Sequence, residues 1–239
     1  MKNSTMNFKE YAKFYDLIYK NKNHLKEISF VSKKLKINTN STILDLGCGT
    51  LRHSIHLLKK VKKILGVDLS KNMLKIARNK IKKKKLSKTN INLKYANVIN
   101  FKSSHKFNTA YSLFDVISLL ITDIDVEKFF SNLYDHLKPG SLVYLDYWYK
   151  PAIFYLKIKN LKQTYENSNF KVTREKIQVM KKEKNYVNVT FKLHIYNKKS
   201  KTKKNFEEKH PMRFFSTSEI EKFIKKYFNT IEHLSNYTN

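Results

Sequence analysis

Two glycines and two aspartates carry the sharpest chemical signal in this 239-residue chain. The run Asp45-Leu46-Gly47-Cys48-Gly49-Thr50 follows an apolar stretch and precedes helically spaced residues. Glycines at such a turn let the backbone bend tightly and let a ligand lie against it. A dinucleotide-binding turn would add a third glycine and present a helix end to a pyrophosphate. Here Leu51 and Arg52 follow instead. Asp68 ends the second apolar run, where a carboxylate can bind both hydroxyls of a ribose. Asp45 adds a second negative charge near the turn. Two carboxylates suit a cationic, phosphate-free nucleoside better than a pyrophosphate. The competing reading is a plain turn between strand and helix.

A second group of residues could handle protons or hold an acceptor. Asp115 falls just after the fourth apolar run, at the carboxyl edge where open parallel sheets bind ligands. It reads as a general base or as a turn residue. Tyr15 and Tyr19 are further candidate bases, or core aromatics at helical spacing. His210 precedes Pro211 and reads as a loop residue within reach of the same role. Trp148, between Tyr147 and Tyr149, offers lining for a sugar or base ring, or packing for the segment after it. Arg174 and Arg213 are half of the four arginines, and each could grip an acceptor phosphate bidentately or lie on the surface. His53 and His56 follow the glycine turn. No histidine and acid set has metal-ligand spacing, so no metal is expected.

These residues need elements to position them. Tyr11, Phe14, Tyr15, Ile18 and Tyr19 recur three and four apart, so residues 8–35 are helical, broken near 21–23. Short apolar strands are expected at 42–46, 63–67, 91–95, 108–114 and 141–145. Helices are expected at 51–60, 70–85 and 126–137, the last closed by Lys138-Pro139-Gly140. Strand and helix alternate at short spacing, which implies an α/β, Rossmann-like parallel sheet with helices on both faces. After Tyr149 the period changes. Residues 171–180 and 186–197 alternate as an antiparallel hairpin, with Met212 to Phe215 alongside. A last helix at 219–227 and a short strand at 230–234 complete the reading. The chain is thus one domain over 1–239, with N-terminal helices at 8–36 and a small antiparallel insert at 150–215 as an acceptor-side cover.

Composition narrows the class. Hydrophobic residues make up 41%, enough to bury a core. The formal charge is +30 from 49 basic and 19 acidic side chains. Of the basic residues 45 are lysine, whereas base reading and phosphate clamping lean on the arginine fork. A solvated lysine surface, a nucleic-acid groove and attraction to an anionic substrate are the three readings, and specific nucleic-acid binding is not expected. One cysteine excludes a disulfide scaffold. No apolar run is long enough to span a membrane, and Met1 to Glu10 lacks the core of a secretory signal. The cytosol is the expected compartment.

The runs Ile43-Leu-Asp-Leu-Gly-Cys-Gly-Thr50 and Leu65-Gly-Val-Asp-Leu-Ser-Lys-Asn-Met-Leu-Lys-Ile-Ala-Arg78 resemble the class I S-adenosylmethionine-dependent methyltransferases. That cofactor carries a sulfonium and an ammonium, which fits the two carboxylates. A narrower likeness is to small bacterial enzymes that N-methylate amino sugars on nucleotides, and to relatives from capsule and lipopolysaccharide gene clusters. It rests on Tyr11-Ala-Lys-Phe-Tyr-Asp-Leu-Ile-Tyr19, Ser112-Leu-Phe-Asp-Val-Ile-Ser118, Asp146-Tyr-Trp-Tyr149 and Met212-Arg-Phe-Phe215. The resemblance implies cofactor contacts from Asp45, Gly47, Cys48, Gly49, Asp68, Leu69, Met73, Asn97, Val98 and Ser112. It implies catalytic roles among Asp115, Tyr15 and Tyr19, and acceptor contacts from Tyr11, Trp148, Tyr149, Arg174 and Arg213. Asn97 stands where the family usually has Asp, Leu51 where it often has glycine, and Asp115 where it commonly has histidine. The implied reaction is in-line methyl transfer to a small, anionic acceptor, with a nucleotide-linked amino sugar first. The alternatives are O-methylation of a capsule sugar or its phosphate-type decoration, an RNA or protein methyltransferase, and a non-catalytic cofactor-binding module. The fold's usual terminal strand is expected to be missing or shortened, which would leave an open sheet edge, so either a homodimer or an edge rebuilt from Thr230 to Tyr237 is expected.

Overall fold

The computed structural model describes residues 8–84, 86, 90–156, 159–229 and 232–234. Its first half is a parallel sheet. Strands β1 (Thr42–Leu46), β2 (Lys63–Asp68), β3 (Ile91–Tyr95), β4 (Phe107–Ser112) and β5 (Leu137–Leu145) lie in the order β3-β2-β1-β4-β5. The central strands β1, β2 and β4 are buried almost throughout, as strands covered on both faces must be. Helices α1 (Ala12–Ile18), α2 (His24–Lys34), α3 (Lys71–Lys83) and α4 (Asp123–Asp135) flank it. Asn23, Ser70 and Thr122 cap the last three, each accepting from a backbone N–H two or three positions into its helix.

Apolar burial follows those layers. Phe107, Phe129, Phe130, Leu133 and Phe215 pack together on the α4 side. Ile28, Val31, Leu57, Leu58 and Tyr111 pack on the α2 side. Each such side chain contributes about 1.5–3 kcal/mol when fully buried.

The second half is an extra, mostly antiparallel sheet. After β6 (Trp148–Tyr149) and α5 (Lys150–Tyr155) come β7 (Leu161–Glu166), β8 (Phe170–Lys181), β9 (Tyr186–Asn197) and β10 (Thr202–Phe215). Their order is β6-β10-β9-β8-β7. Asn185 and Lys201, both at positive φ, lie in the β8–β9 and β9–β10 turns. Strand β10 ends parallel to β6, with Phe214 opposite Trp148, so the insert begins and ends at β6. The last helix, α6 (Thr217–Ile224), starts at a capping box of Ser216 and Glu219.

Four expectations need correction. Residues 51–60 form no α-helix, only a single 3₁₀ turn at Ser54–His56. Leu51 is left-handed, at φ 64°, and Arg52, His53 and Ser54 are each tied by their side chains to other parts of the fold. Lys138-Pro139-Gly140 does not lie outside the sheet but inside β5, where the register shifts between Phe107 and Thr109. The expected hairpin is present as β8 and β9, but its sheet is larger than expected, because β7 and the first half of β10 also pair. Of the expected strand at 230–234, residues 230 and 231 lie outside the described residues, and 232–234 are in no strand.

Candidate active site

A cavity of about 580 Å³ opens at the carboxyl ends of β1, β2 and β4. That edge is where parallel sheets bind ligands. Its floor is the glycine turn. Gly47 and Gly49 both have positive φ, and a Cβ on Gly47 would collide with the side chain of Val116. Asp68 stands across from the turn. Its carboxylate accepts the Gly49 N–H at 2.8 Å and the Ser70 N–H at 2.7 Å. Burial raises its pKa, while those two N–H groups pull it back. Leu69, Met73, Asn97 and Val98 line the same end of the cavity.

Helix α1 roofs the site. Tyr15 and Tyr19, one turn apart, line the cavity with ring centroids 4.7 Å apart, and Tyr19 meets the edge of Phe114 at 4.9 Å. Asp16 fastens the helix down. It accepts the Thr50 hydroxyl at 2.8 Å and pairs with Lys80 at 2.7 Å. Arg52 reaches the Tyr19 carbonyl at 3.0 Å. Burial and the neighbouring Tyr19 raise the Tyr15 pKa well above the usual phenol range, so Tyr15 acts as an O–H group near neutral pH, not as a phenolate.

Asp115 faces the cavity from the loop after β4. Phe114 and Asp115 have φ of 73° and 63°, an uncommon pair of left-handed residues without glycine. Asp146 accepts both their N–H groups, each at 2.7 Å. Burial, then the charge of Asp146, pushes the Asp115 pKa up to about 7, and a hydrogen bond from Trp148 opposes the shift. Trp148 lines the cavity beside it.

Other expected residues stand elsewhere. The Asp45 carboxylate turns under the glycine turn to the Ser54 hydroxyl, and burial raises its pKa to about 6. Cys48 packs behind the turn against Gly66. Ser112 ties β4 to the Leu46 carbonyl at 2.9 Å. Tyr11 is fully buried beneath the insert, and Tyr149 is 42% exposed. None of these five lines the cavity. Nor does Arg213, which pairs with Asp123 at 2.6 Å, donates to the Ile121 carbonyl and stacks over Phe215. It braces the cavity-lining segment at Ile121 and Thr122 rather than a phosphate.

Arg174 does line the cavity, but its fork is occupied. One terminal nitrogen donates to the Tyr11 and Tyr19 hydroxyls, and the other to Gln163 and Tyr165. Lys176, two residues on, shares its strand face and has no carboxylate partner among the described residues. Sequence reading missed Lys176, Phe8 and Phe191, all lining residues. The strand alternation from Arg174 was the signal for Lys176.

His24, Glu27 and His53 bring three potential ligand atoms within 4.8 Å of one another. Glu27 is already bonded to Lys22 and His53, and the Arg52 guanidinium contacts the His24 ring at 3.2 Å. Burial and Arg52 lower the His24 pKa to about 4. Two fixed cations beside the cluster oppose a metal ion, and we assign none.

The cavity suits S-adenosylmethionine: it has a floor of two left-handed glycines, an anionic group at Asp68 and apolar walls at Leu69 and Met73. Comparisons with known proteins agree. Residues 43–140 match the model of a methyltransferase domain. The dTDP-3-amino-3,4,6-trideoxy-alpha-D-glucopyranose N,N-dimethyltransferase of Streptomyces venezuelae is 28% identical over 149 residues, 61% of this chain and 60% of that protein. The chain therefore spans less than two thirds of that relative. An S-adenosylmethionine-dependent methyltransferase from Clostridium acetobutylicum superposes with a TM-score of 0.77 at 24% identity, covering 96% of this chain and 91% of that one. The S-adenosylmethionine-bound CalS10, an amino pentose methyltransferase from Micromonospora echinaspora, gives 0.71 at 17% identity, with 94% and 90% covered. The chain has the fold of the class I S-adenosylmethionine-dependent methyltransferases, and within that class it resembles the small bacterial sugar N-methyltransferases.

Proposed function

We propose that this chain transfers a methyl group from S-adenosylmethionine to a small, anionic acceptor, with the amine of a nucleotide-linked sugar as the leading candidate. The observation that carries the reading is one cavity shared by the glycine turn, Asp68, Asp115, Trp148 and Lys176. The cofactor supplies a methyl group already activated by a positive sulfur. What remains for the protein is alignment, exclusion of water and care of one proton. Gly47 and Gly49 form the cofactor's bed, and Asp68 binds its ribose hydroxyls. Tyr15 and Tyr19 close the roof. Trp148 provides a flat wall for a ring, and Lys176 attracts the acceptor's negative end. Asp115 accepts a proton at its carboxylate.

In this proposal residues 1–239 act as one domain, with residues 8–36 as roof and 150–215 as the acceptor-side cover. The Streptomyces relative acts on a nucleotide-linked amino sugar, as its name states, which supports that acceptor class here. A role in capsule or lipopolysaccharide synthesis, in the cytoplasm where nucleotide sugars are made, extends the same reading. Among the described residues no helix is long and apolar enough to cross a membrane. The raised pKa of Asp115 also favours a second reading, O-methylation of a sugar hydroxyl, because a hydroxyl gains more from a base than an amine does.

Calorimetry with S-adenosylmethionine tests the cofactor half. Replacing Asp68 by alanine removes an anionic acceptor from two hydroxyls and should weaken binding by about 1.5–3 kcal/mol. An unchanged dissociation constant would remove Asp68 from the site. Rates on amino-sugar and neutral-sugar nucleotides then separate the N- and O-acceptor readings.

A further inference from the structure

The insert sheet turns one face toward the cavity, and that face is chemically two-sided. Register places Lys176, Phe191 and Glu208 in one row across β8, β9 and β10, and Gln178, Val189 and His210 in the next. Side chains two apart on a strand share a face, so Arg174 joins the same surface. The β8 side is therefore cationic, the β9 strip apolar, and the β10 side an imidazole beside a carboxylate. Neighbouring strands lie about 4.8 Å apart, which puts the two polar margins about 10 Å from each other.

This face also holds the unsatisfied polar atoms. Six buried side-chain polar atoms lack a hydrogen-bond partner among the described residues, and five are here: Arg174 Nε, Gln178 Oε1, Glu208 Oε2 and both ring nitrogens of His210. His210 is only 3% exposed and lines the cavity. Its ring stacks on Phe8 at 4.6 Å and lies 5.4 Å from Phe191. Glu208 is held in place by the Tyr11 N–H at 2.9 Å, and its free oxygen stands 3.5 Å from His210 Nε2. A phenyl ring would fill the same slot without leaving two nitrogens unpaired. Burying imidazole there makes physical sense when a ligand completes it.

We propose that His210, backed by Glu208, is an acceptor-binding and specificity-determining residue that accepts a hydrogen bond from an N–H or O–H group on the acceptor's sugar ring. Lys176, on the opposite margin, takes the phosphate end of the same molecule. The inference rests on the acceptor class proposed above and adds to it an orientation, with the sugar over β10 and the phosphates over β8. A uniformly anionic ligand would meet Glu208 and be disfavoured.

The test uses the full chain saturated with S-adenosylhomocysteine and two probes, dTDP-3-amino-3,6-dideoxy-α-D-glucopyranose and dTDP alone. In the parent protein, nitrogen-resolved NMR of the histidine rings should show His210 shifting with the sugar nucleotide but not with dTDP. By calorimetry, His210→Phe should weaken the sugar nucleotide at least tenfold while changing dTDP and S-adenosylhomocysteine less than twofold. Lys176→Met should weaken both nucleotides alike. Equal affinities for the sugar nucleotide in parent and His210→Phe would overturn the assignment, as would a His210 signal moved by S-adenosylhomocysteine alone. If the parent binds S-adenosylhomocysteine but not the sugar nucleotide, the acceptor class itself fails, and the role of His210 falls with it before any variant is compared.

Discussion

Asp146 holds Asp115 by its backbone: an Asp146 carboxylate oxygen accepts the Asp115 N–H at 2.7 Å, and the other takes Phe114. Two successive left-handed residues are costly for side chains with a Cβ, about 1–2 kcal/mol each. Two hydrogen bonds to a charged acceptor, each about 1.5–3 kcal/mol, offset that strain. Asp146→Ala should therefore release the turn. We expect turnover to fall about 10–100-fold, the scale of a displaced catalytic group, with S-adenosylmethionine affinity within threefold of the parent. Unchanged turnover with equal thermal stability would show that the turn needs no brace.

Asp115 gives a pH signature. Its native pKa of about 7 lies above the unfolded value near 3.9. Between those values the native state holds a proton that the unfolded chain has released, so stability falls as pH rises from about 4 to 7 and is flat above. Asp115→Asn should melt higher than the parent at pH 8, by about 1–2 kcal/mol after allowance for the lost Trp148 contact, with the gap closing toward pH 4. For a hydroxyl acceptor the parent's rate should rise about tenfold per pH unit below 7, and the variant should lose about 10²–10⁴-fold. A melting gap that widens in acid would reverse the sign and refute the raised pKa.

The charge of +30 will attract polyanions at low salt. The lysines are dispersed over many elements, and the wall of the cavity includes Asp68, Asp115 and Asp125. Filter binding with duplex and single-stranded nucleic acid should show weak association that fades steeply above physiological salt. Tight, sequence-selective binding at about twice physiological salt would make nucleic acid the substrate.

Strand β5 has no outer neighbour in its sheet among the described residues, and Leu142 there is 39% exposed. An open edge invites strand pairing. Light scattering at micromolar concentration should report a homodimer that Leu142→Lys weakens. A monomer at every concentration would mean that the edge is protected in another way.

The parts of the fold legible in the sequence are local. The run from Thr42 to Arg78 carries its own signals: continuous apolar strands, a glycine turn and the Ser70 cap. The unread parts depend on partners distant in sequence. β7 and the first half of β10 are polar and mostly exposed, so hydrophobic alternation is weak there. Pro211 made His210 look like a loop residue. Proline fits because β6 pairs only with Phe214 and Phe215, leaving the other edge of β10 open at that point. Residues 51–60 have helical spacing, but side-chain ties to α1, α2 and β1 hold them in turns. Arg174 and Arg213 stood out by rarity, yet each is committed to structural partners that no spacing rule reveals.

The short helix α1 touches both halves of the molecule. Asp16 anchors it to the glycine turn through Thr50 and Lys80, while Tyr11 anchors it to the insert through Glu208 and Arg174. It is thus a strut between the parallel sheet and the insert sheet. A displacement of either wall is passed to the other through one rigid turn of helix. On the proposed function, whatever effect the cofactor has on acceptor affinity through this strut must be matched by an equal effect of the acceptor on cofactor affinity. Titrating either ligand in the presence of the other would read the strut directly, in a single coupling factor.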